Sequence, residues 1–318
     1  MVKGFKTHEE LVALMESRGI TTDSKTIGII KRESYYAIIN GYKSPFLDRE
    51  AMQHTAEDVY REGTAFSQIY ELFLFDRDMR SLIFPYLTRV ESILKNAVVY
   101  SFCERNTSPA AYLDRENYTT AKDMLFPKTF AGSKRDEHRK NLATLMKILN
   151  GKLAINKRTR PFVKHYLEAY GMVPLWVLQN DLTFGNMEHF YQLQKRGVQN
   201  DACKIVGEVS GNSQRITPHD LLRVFGVLVE FRNMCAHDER IYCAEVKGAR
   251  LDGALSLIQL VLPRDEMIEL ALSYRALVGE YLSKANGPIL PSVLSDMNML
   301  APNIEADAAA MSAASDPL

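Results

Sequence analysis

The chain has 318 residues, of which 46% are hydrophobic, and this composition excludes a wholly disordered protein and suits one large domain or two smaller ones. Its longest uncharged apolar stretch, residues 253–263, is too short to span a bilayer, and the charged N-terminus lacks a signal peptide. We therefore expect a cytoplasmic protein with no membrane partner, whose four cysteines are reduced thiols and whose 39 basic and 39 acidic side chains cancel in total.

The first two predicted helices lie within the N-terminal 45 residues. Thr7 and Glu10 have the spacing of a capping box, and the helix that they start is predicted to end at Gly19. The next helix has large apolar side chains at helical spacing and ends between Gly41 and Pro45; they are Tyr35, Ile38, Ile39 and Tyr42. Core packing is the favoured role of this aromatic cluster, and stacking on nucleic-acid bases is the alternative.

A long helical region follows from residue 64 to about residue 103. Apolar residues recur in it at intervals of three and four, but Pro85 lies near its middle. Because an interior proline removes a backbone hydrogen bond, we expect a kink or a break there. Glu91 and Lys95 are predicted to form an exposed pair on the second half.

Residues 106–132 are predicted to be a long connection, and a basic block follows it. Between Lys128 and His165 there are eleven lysines and arginines against two acids, which gives a formal charge of +9. The block is predicted to form helices at 134–153 and 160–169, the second ending at Gly171. A polyanion is one interpretation of the partner, and a solvated helix face is the other. The residues that we assign to RNA binding are Lys134, Arg135, Arg139, Lys140, Lys157, Arg158, Arg160 and Lys164.

The C-terminal half is also predicted to be helical. A helix begins at Pro174 and is expected to break at Gly185, a short helix covers 201–209, and the last strong helix covers 265–284. Prolines and small residues after Gly287 indicate a flexible tail. Since no segment alternates clearly between apolar and polar residues, the predicted fold class is all-α.

The best-signalled helix begins with Thr217 as N-cap, Pro218 at its first position and Asp220 in its first turn. Its apolar stripe, formed by Leu221, Phe225 and Leu228, is predicted to pack against the rest of the domain or a second copy, and Arg232 continues it.

Three polar residues, Arg232, Asn233 and His237, end this apolar helix. Arginine offers a fixed fork of donors that fits a phosphate, and histidine can transfer a proton near neutral pH. Together they suit cleavage of an RNA phosphodiester without a metal or cofactor, by attack of a ribose 2′-hydroxyl. The alternative is that these side chains cap the last carbonyls of the helix. A second alternative is a zinc site formed by Cys235, His237 and Cys243, although that set lacks paired spacing and a fourth ligand.

Four stretches of the chain resemble, in order, the motifs of one family. They are SYYAIINGYKSPF (34–46), FDRDMRSLIFPYLTRVESILKNAV (75–98), VPLWVLQNDLTFGNMEHFY (173–191) and RNMCAHDERIY (232–242). The last resembles the R-N-x-x-A-H motif of HEPN domains, and the set as a whole resembles the abortive-infection Abi family of the AbiD/AbiF type.

This resemblance implies an all-α, HEPN-like domain with additional N-terminal and inserted helices. It suggests N-terminal helices in 1–60, a core in 61–286 with the basic insertion near 128–165, and the tail in 287–318. HEPN domains usually pair as homodimers, and many are metal-independent ribonucleases that leave a cyclic phosphate. Arg232 and His237 match the catalytic pair, and Asn233 matches the polar residue beside the arginine. Arg240 matches a further arginine of the family, which we add to the RNA-binding set, and Glu91 loosely matches an acid that faces the motif.

The chain departs from the family pattern beside the motif. Asp238 and Cys243 stand where members often have histidine and asparagine, and an acid next to His237 favours the protonated imidazole. His237 could then act as an acid or a phosphate clamp rather than as a base. Glu239 replaces the tyrosine of HEPN proteins that are modified by AMP transfer, which argues against that branch.

Two functions are consistent with these features. One is a ribonuclease toxin of phage defence, for which the resemblance suggests control by a small non-coding RNA, since some AbiF-like proteins are linked with one. The other is a non-catalytic protein that binds structured RNA mainly through the basic block.

Overall fold

A computed structural model describes residues 4–55, 57–126, 130–211, 215–284 and Ser295. Within those ranges the regular structure is helical, and β-pairing is limited to isolated bridges such as Leu47 with Tyr60, so the all-α prediction is confirmed. No helix in these ranges combines the length and the apolar character that crossing a membrane requires. Most of the expected tail, 287–318, lies outside the described residues.

Helix α1, His8–Ser17, and helix α2, Thr26–Glu33, form the N-terminal part. The predicted capping box is confirmed, because Thr7 and Glu10 exchange backbone-to-side-chain hydrogen bonds of 2.7 and 3.2 Å. The helix expected through Tyr35 and Tyr42 is divided instead. Ser34 has φ +67°, a left-handed conformation that no helix can pass through, and a π-helical turn, Tyr36–Asn40, follows it.

Helix α3, Phe66–Arg105, is a single helix of 40 residues, so the break considered at Pro85 is absent. Pro85 is exposed, and the carbonyl that lacks its N–H partner can therefore be hydrated. The buried residues before and after Pro85, such as Ile83 and Leu87, belong to the same core and hold the helix on both sides of the proline.

The remaining helices match most of the predictions. They are α4 (Lys134–Leu153), α5 (Pro161–Tyr170), α6 (Leu175–Leu178), α7 (Phe184–Gln192), α8 (Arg196–Ser210), α9 (Pro218–Ala236), α10 (Leu251–Gln259) and α11 (Arg264–Lys284). The break expected at Gly185 occurs earlier, because Thr183 caps α7 by accepting the Asn186 N–H and Gly185 lies inside that helix. Helix α8 begins before the predicted residue 201, and α10 was not predicted.

Helices α3 and α9 form the centre of the packing. Helix α3 packs against α8, α9 and α11, and α9 also packs against α7, α8 and α10. The predicted stripe of Leu221, Phe225 and Leu228 is completely buried, and nearly every residue of α9 from 221 to 231 is buried with it. One hydrophobic cluster contains buried residues from Met15 to Tyr281. The domain boundaries expected at residues 60 and 286 remain predictions.

The carboxylate of Asp76 on α3 connects three distant parts of the chain. It is fully buried and accepts hydrogen bonds from the Tyr42 hydroxyl (2.7 Å), the Arg80 guanidinium (2.6 Å) and the backbone N–H groups of Ile241 (3.2 Å) and Tyr242 (2.8 Å). Burial raises the pKa of Asp76, and these donors and the charge of Arg80 oppose the shift. The segment after α9 is therefore anchored to α3 and to the N-terminal turn by one side chain.

Two further contacts join the same segments beside Asp76. The ring of Tyr42 stacks on that of Tyr242 with centroids 5.8 Å apart, and Arg240 donates a hydrogen bond to the Gly41 carbonyl. The aromatic cluster of the N-terminal motif is thus used for packing, as the favoured interpretation predicted.

Replacing Asp76→Asn should lower the free energy of unfolding by about 3–5 kcal/mol, because it removes the buried counter-charge of Arg80 and leaves only the exposed Asp238 carboxylate near this guanidinium. Urea denaturation followed by circular dichroism measures this change. Asp78→Asn, at an exposed position of the same helix, is the matched control and should change stability by less than about 0.5 kcal/mol. Equal effects of the two substitutions would contradict the anchoring role of Asp76.

Candidate functional site

The R-N-x-x-A-H motif occupies the last turn of α9 and its C-cap. His237 is the C-cap residue, and its backbone N–H donates to the Asn233 carbonyl at 3.0 Å. Asp238 follows with φ +55°, and the Glu239 N–H closes the turn by donating to the Met234 carbonyl at 2.9 Å. This is a Schellman ending, in which an aspartate takes the left-handed position that glycine or asparagine usually occupies. The chain therefore turns away sharply just after the histidine.

Arg232 is half-buried, and residues of three helices hold its guanidinium. Nη2 lies 2.8 Å from a Glu91 carboxylate oxygen on α3, Nη1 donates to the Asn233 side-chain oxygen at 3.2 Å, and the group lies 5.9 Å from the centre of the Phe184 ring on α7. Its Nε atom is enclosed and forms no hydrogen bond within the described part of the chain. The position of the guanidinium is thus determined before any ligand binds.

Glu91 is shared between two cations. One carboxylate oxygen binds Arg232, and the other lies 2.7 Å from the Lys95 ammonium, which also donates to the Leu182 carbonyl. The expected exposed pair is therefore wrong in one respect, since both Glu91 and Lys95 are mostly buried. The looser expectation that Glu91 faces the motif is confirmed by its contact with Arg232.

His237 differs from Arg232 in its surroundings. Its imidazole is exposed and forms no hydrogen bond or ion pair with any residue that the structure describes. Along a helix axis the five residues from Arg232 to His237 correspond to about 7.5 Å. The structure thus brings Arg232 and Asn233 into contact and leaves the side chain of His237 free on the surface nearby.

The ion-pair partner of Asp238 is Arg80 and not His237. An Asp238 carboxylate oxygen lies 3.6 Å from Nε of Arg80, a side chain that is only 5% exposed, whereas the side chain of Asp238 is 91% exposed. Asp238 therefore extends the buried pair of Asp76 and Arg80 to the surface. The acid that was expected to favour a protonated His237 has a guanidinium as its partner.

The basic residues assigned to RNA binding are all exposed, but they differ in their partners. Those with an acid or an aromatic partner are Arg139 with Asp136, Arg160 with Asp181, Lys164 with Glu168, and Lys134 over the Phe126 ring. Those without an ion pair among the described residues are Arg135, Lys140, Lys157 and Arg158. Arg240, which was assigned to the same role, is held by the Gly41 carbonyl.

The alternative metal site receives little support from the surroundings of Cys235. Burial raises the pKa of this thiol to about 12, so the thiolate that zinc requires is unfavourable there. Within the described ranges no group of three or more His, Cys, Asp or Glu side chains is arranged to hold a metal ion.

Sequence reasoning missed the contribution of Phe184 and Gly185. Phe184 supports the Arg232 guanidinium, and Gly185 faces Val229 of α9, where a Cβ atom would make an ordinary contact of 3.7 Å with a methyl group. The F-G pair in the stretch 173–191 was a signal for this contact, but the distance between the two helices is not encoded locally.

One comparison with known proteins finds a match. A family model described as Abi-like protein matches residues 28–243, more than half of the chain. The match begins in α2 and ends just after Tyr242, so it contains all the segments that Asp76 joins. No curated protein and no solved structure matches the chain.

The pair of Glu91 and Arg232 should be energetically coupled. A double-mutant cycle with Glu91→Gln and Arg232→Met is expected to give a coupling free energy of about 1–2 kcal/mol, since the pair is mostly shielded from solvent. The exposed pair of Lys204 and Glu208 on α8 provides the control cycle, with an expected coupling below about 0.5 kcal/mol. Additive effects at Glu91 and Arg232 would show that their contact is not maintained in solution.

Proposed function

Since the chain belongs to the Abi-like protein family, we propose that it acts in abortive infection as a metal-independent endoribonuclease of the HEPN type. The observation that carries the proposal is the contrast between a fixed guanidinium at Arg232 and a free imidazole at His237 at the end of one helix. Such a pair can hold a phosphate and transfer a proton, which are the two requirements of RNA cleavage without a metal.

The reaction follows from these two groups. The imidazole of His237 takes the proton of a ribose 2′-hydroxyl, whose oxygen attacks the adjacent phosphorus. The bond from phosphorus to the 5′-oxygen breaks, and that oxygen takes a proton from water, so that the products are a 2′,3′-cyclic phosphate and a 5′-hydroxyl. The His237 imidazolium then returns its proton to the hydroxide that is left, which restores the neutral base. Arg232 stabilises the charge that develops on the phosphate oxygens, and Asn233 orients Arg232 by accepting its hydrogen bond.

The site is completed by a second copy of the chain. Within one copy, Arg232 turns toward Glu91 on α3, whereas His237 faces solvent beyond the end of α9. In a two-fold homodimer, Arg232 of one copy and His237 of the other act on the same phosphate. This arrangement places the reactive groups in an interface, so assembly of the dimer controls the activity.

The exposed basic surface of α4 and α5 provides contacts for the RNA backbone. Arg135, Lys140, Lys157 and Arg158 are not paired with acids in the described part of the chain, and they are therefore available to phosphates. A small structured RNA bound to this surface would compete with substrates and keep the nuclease inactive until infection.

A second candidate is a protein that binds structured RNA without cleaving it. The ion pair between Arg232 and Glu91 favours this alternative, because a guanidinium that is already paired in the chain has less charge to offer to a phosphate. In that case the basic surface binds RNA and the motif has a structural role. Both candidates bind RNA, so only an assay of RNA cleavage distinguishes them.

The purified protein should cleave single-stranded RNA in the presence of EDTA, and Arg232→Ala or His237→Ala should each reduce the rate by about 100-fold or more. Denaturing gels measure the rate, and end analysis should detect cyclic phosphates. Two exposed residues of the same helix provide controls: Arg223→Ala and His219→Ala should retain full activity. A substrate with a single 2′-deoxyribose should resist cleavage at that position.

Activity that survives in both Arg232→Ala and His237→Ala, while all variants keep the same helical spectrum, would refute the proposed nuclease. RNA that copurifies with the protein and is never cleaved would favour the binding protein instead.

Mixing the two inactive variants tests the composite site. If Arg232 and His237 of different copies act together, subunit exchange between Arg232→Ala and His237→Ala dimers creates one intact site in each mixed dimer. About half of the dimers are then mixed, and one of the two sites in each mixed dimer is intact. About a quarter of the original activity should therefore return. No recovery despite proven exchange would place both groups of a site on the same chain.

A further inference from the structure

The segment from the end of α4 through α5 is the most uniformly basic surface of the described chain. Residues 151–167 contain five lysines and arginines and no acid. Lys157 and Arg158 in the turn between the helices are exposed, and so is Lys164 on α5. A surface with this charge attracts a polyanion.

Large apolar side chains beside this basic segment remain open to solvent. Tyr170 at the end of α5 is 65% exposed, Met172 is 42% exposed, and Trp176 on α6 is 48% exposed. The residues between them that pack inward, Val173 and Leu175, are almost completely buried, so the backbone here is well anchored in the core. The centre of the Tyr170 ring lies 6.2 Å from the centre of the His165 ring and 5.4 Å from that of the Tyr166 ring.

Asp181 joins the segment that follows Trp176 to two residues of the basic segment. Its carboxylate lies 3.2 Å from the Lys152 ammonium and 3.3 Å from Nε of Arg160, which fixes the segment after α6 against the junction of α4 and α5. Helix α5 has ten residues and a length of about 15 Å, so Tyr170 at its end lies within about that distance, along the helix axis, of the cations at its start.

The same segment leads directly to the candidate catalytic residues. Leu182, the residue after Asp181, accepts a hydrogen bond from Lys95, and Lys95 and Arg232 share the Glu91 carboxylate. Phe184, two residues further, supports the Arg232 guanidinium. The segment that carries Trp176 is therefore continuous with the residues that hold Arg232.

We propose that Tyr170 and Trp176 form a stacking platform for unpaired bases of single-stranded RNA, with Lys157 and Arg158 binding its phosphates. The inference rests on the proposed RNA-directed function and specifies its ligand. Every base has a flat face that an exposed indole or phenol ring can cover, whereas the bases of a duplex are already stacked on each other. The platform therefore selects single strands with little preference for sequence.

A protein partner is the competing occupant of an exposed tryptophan. The surrounding charge favours the nucleic acid, because the cations around Tyr170 and Trp176 would have to be neutralised in a contact between two copies of this chain. Binding of a second copy to this surface would overturn the inference.

The tryptophan fluorescence of the protein reports the contacts of Trp176, because this is the only tryptophan of the chain. The test uses the full chain with His237→Ala, so that RNA is bound but not consumed. Titration with a short oligouridylate should quench the tryptophan fluorescence in a saturable way, and the apparent affinity should fall steeply as salt rises. An RNA duplex of the same length should produce little quenching.

Binding of a labelled oligouridylate, measured by fluorescence anisotropy, should weaken about 10-fold in Trp176→Ala and in Tyr170→Ala. Trp176→Phe should retain most of the affinity, because a phenyl ring still stacks. Tyr100→Ala removes an equally exposed aromatic side chain from α3 and should leave the affinity unchanged.

Three results would overturn the platform: equal quenching by single strands and duplexes, unchanged affinity in Trp176→Ala, or fluorescence that changes with protein concentration as a second copy covers Trp176. These results are separable from failure of the nuclease. Quenching by single strands without cleavage in the unmodified chain refutes the nuclease alone, whereas normal cleavage with no effect of Trp176→Ala on binding refutes the platform alone.

Discussion

The buried carboxylate of Asp76 is the constraint on which the rest of the structure depends. An isolated charge inside an α-helical core would be strongly unfavourable, and it is tolerated here because four donors surround it. Two of those donors are backbone N–H groups just after the motif, and a third is the hydroxyl of Tyr42 from the N-terminal segment. Satisfying Asp76 therefore requires that both ends of the region matched by the Abi-like family be in place.

A second polar network depends on this arrangement. Once the segment after α9 is anchored, the last turn of α9 is held against α3, where Glu91 binds both Arg232 and Lys95. The contact between Lys95 and the Leu182 carbonyl then includes the segment that precedes α7. Half-buried charges connected in this way are positioned more accurately than exposed ones, because each retains only the partners that the fold provides. The cost is that Arg232 must exchange part of its interaction with Glu91 for any phosphate that it binds.

The helices that carry local signals could be predicted from the sequence, and the interruptions could not. Thr217 caps α9 and Gly171 ends α5 with φ +72°, as their chemistry requires. In contrast, α3 continues through Pro85, and α7 begins before Gly185. At Pro85 the packing of the long apolar faces of α3 outweighs a local preference of about 3 kcal/mol. The start of α7 is instead determined by the Thr183 cap, a local signal that the prediction from Gly185 overlooked. The positive φ of Ser34 has no signal in the sequence, because serine has no intrinsic preference for that conformation.

The sequence by itself determined the all-α class, the buried stripe of α9 and the presence of Arg232, Asn233 and His237 at its end, because periodicity and capping act within a few residues. Only the tertiary structure decided how these residues differ. It paired Arg232 with Glu91 from a helix far away in the chain and left the imidazole of His237 exposed. Partners so distant in sequence meet only when the core forms, since hydrophobic burial is not directional and does not specify which polar groups come into contact.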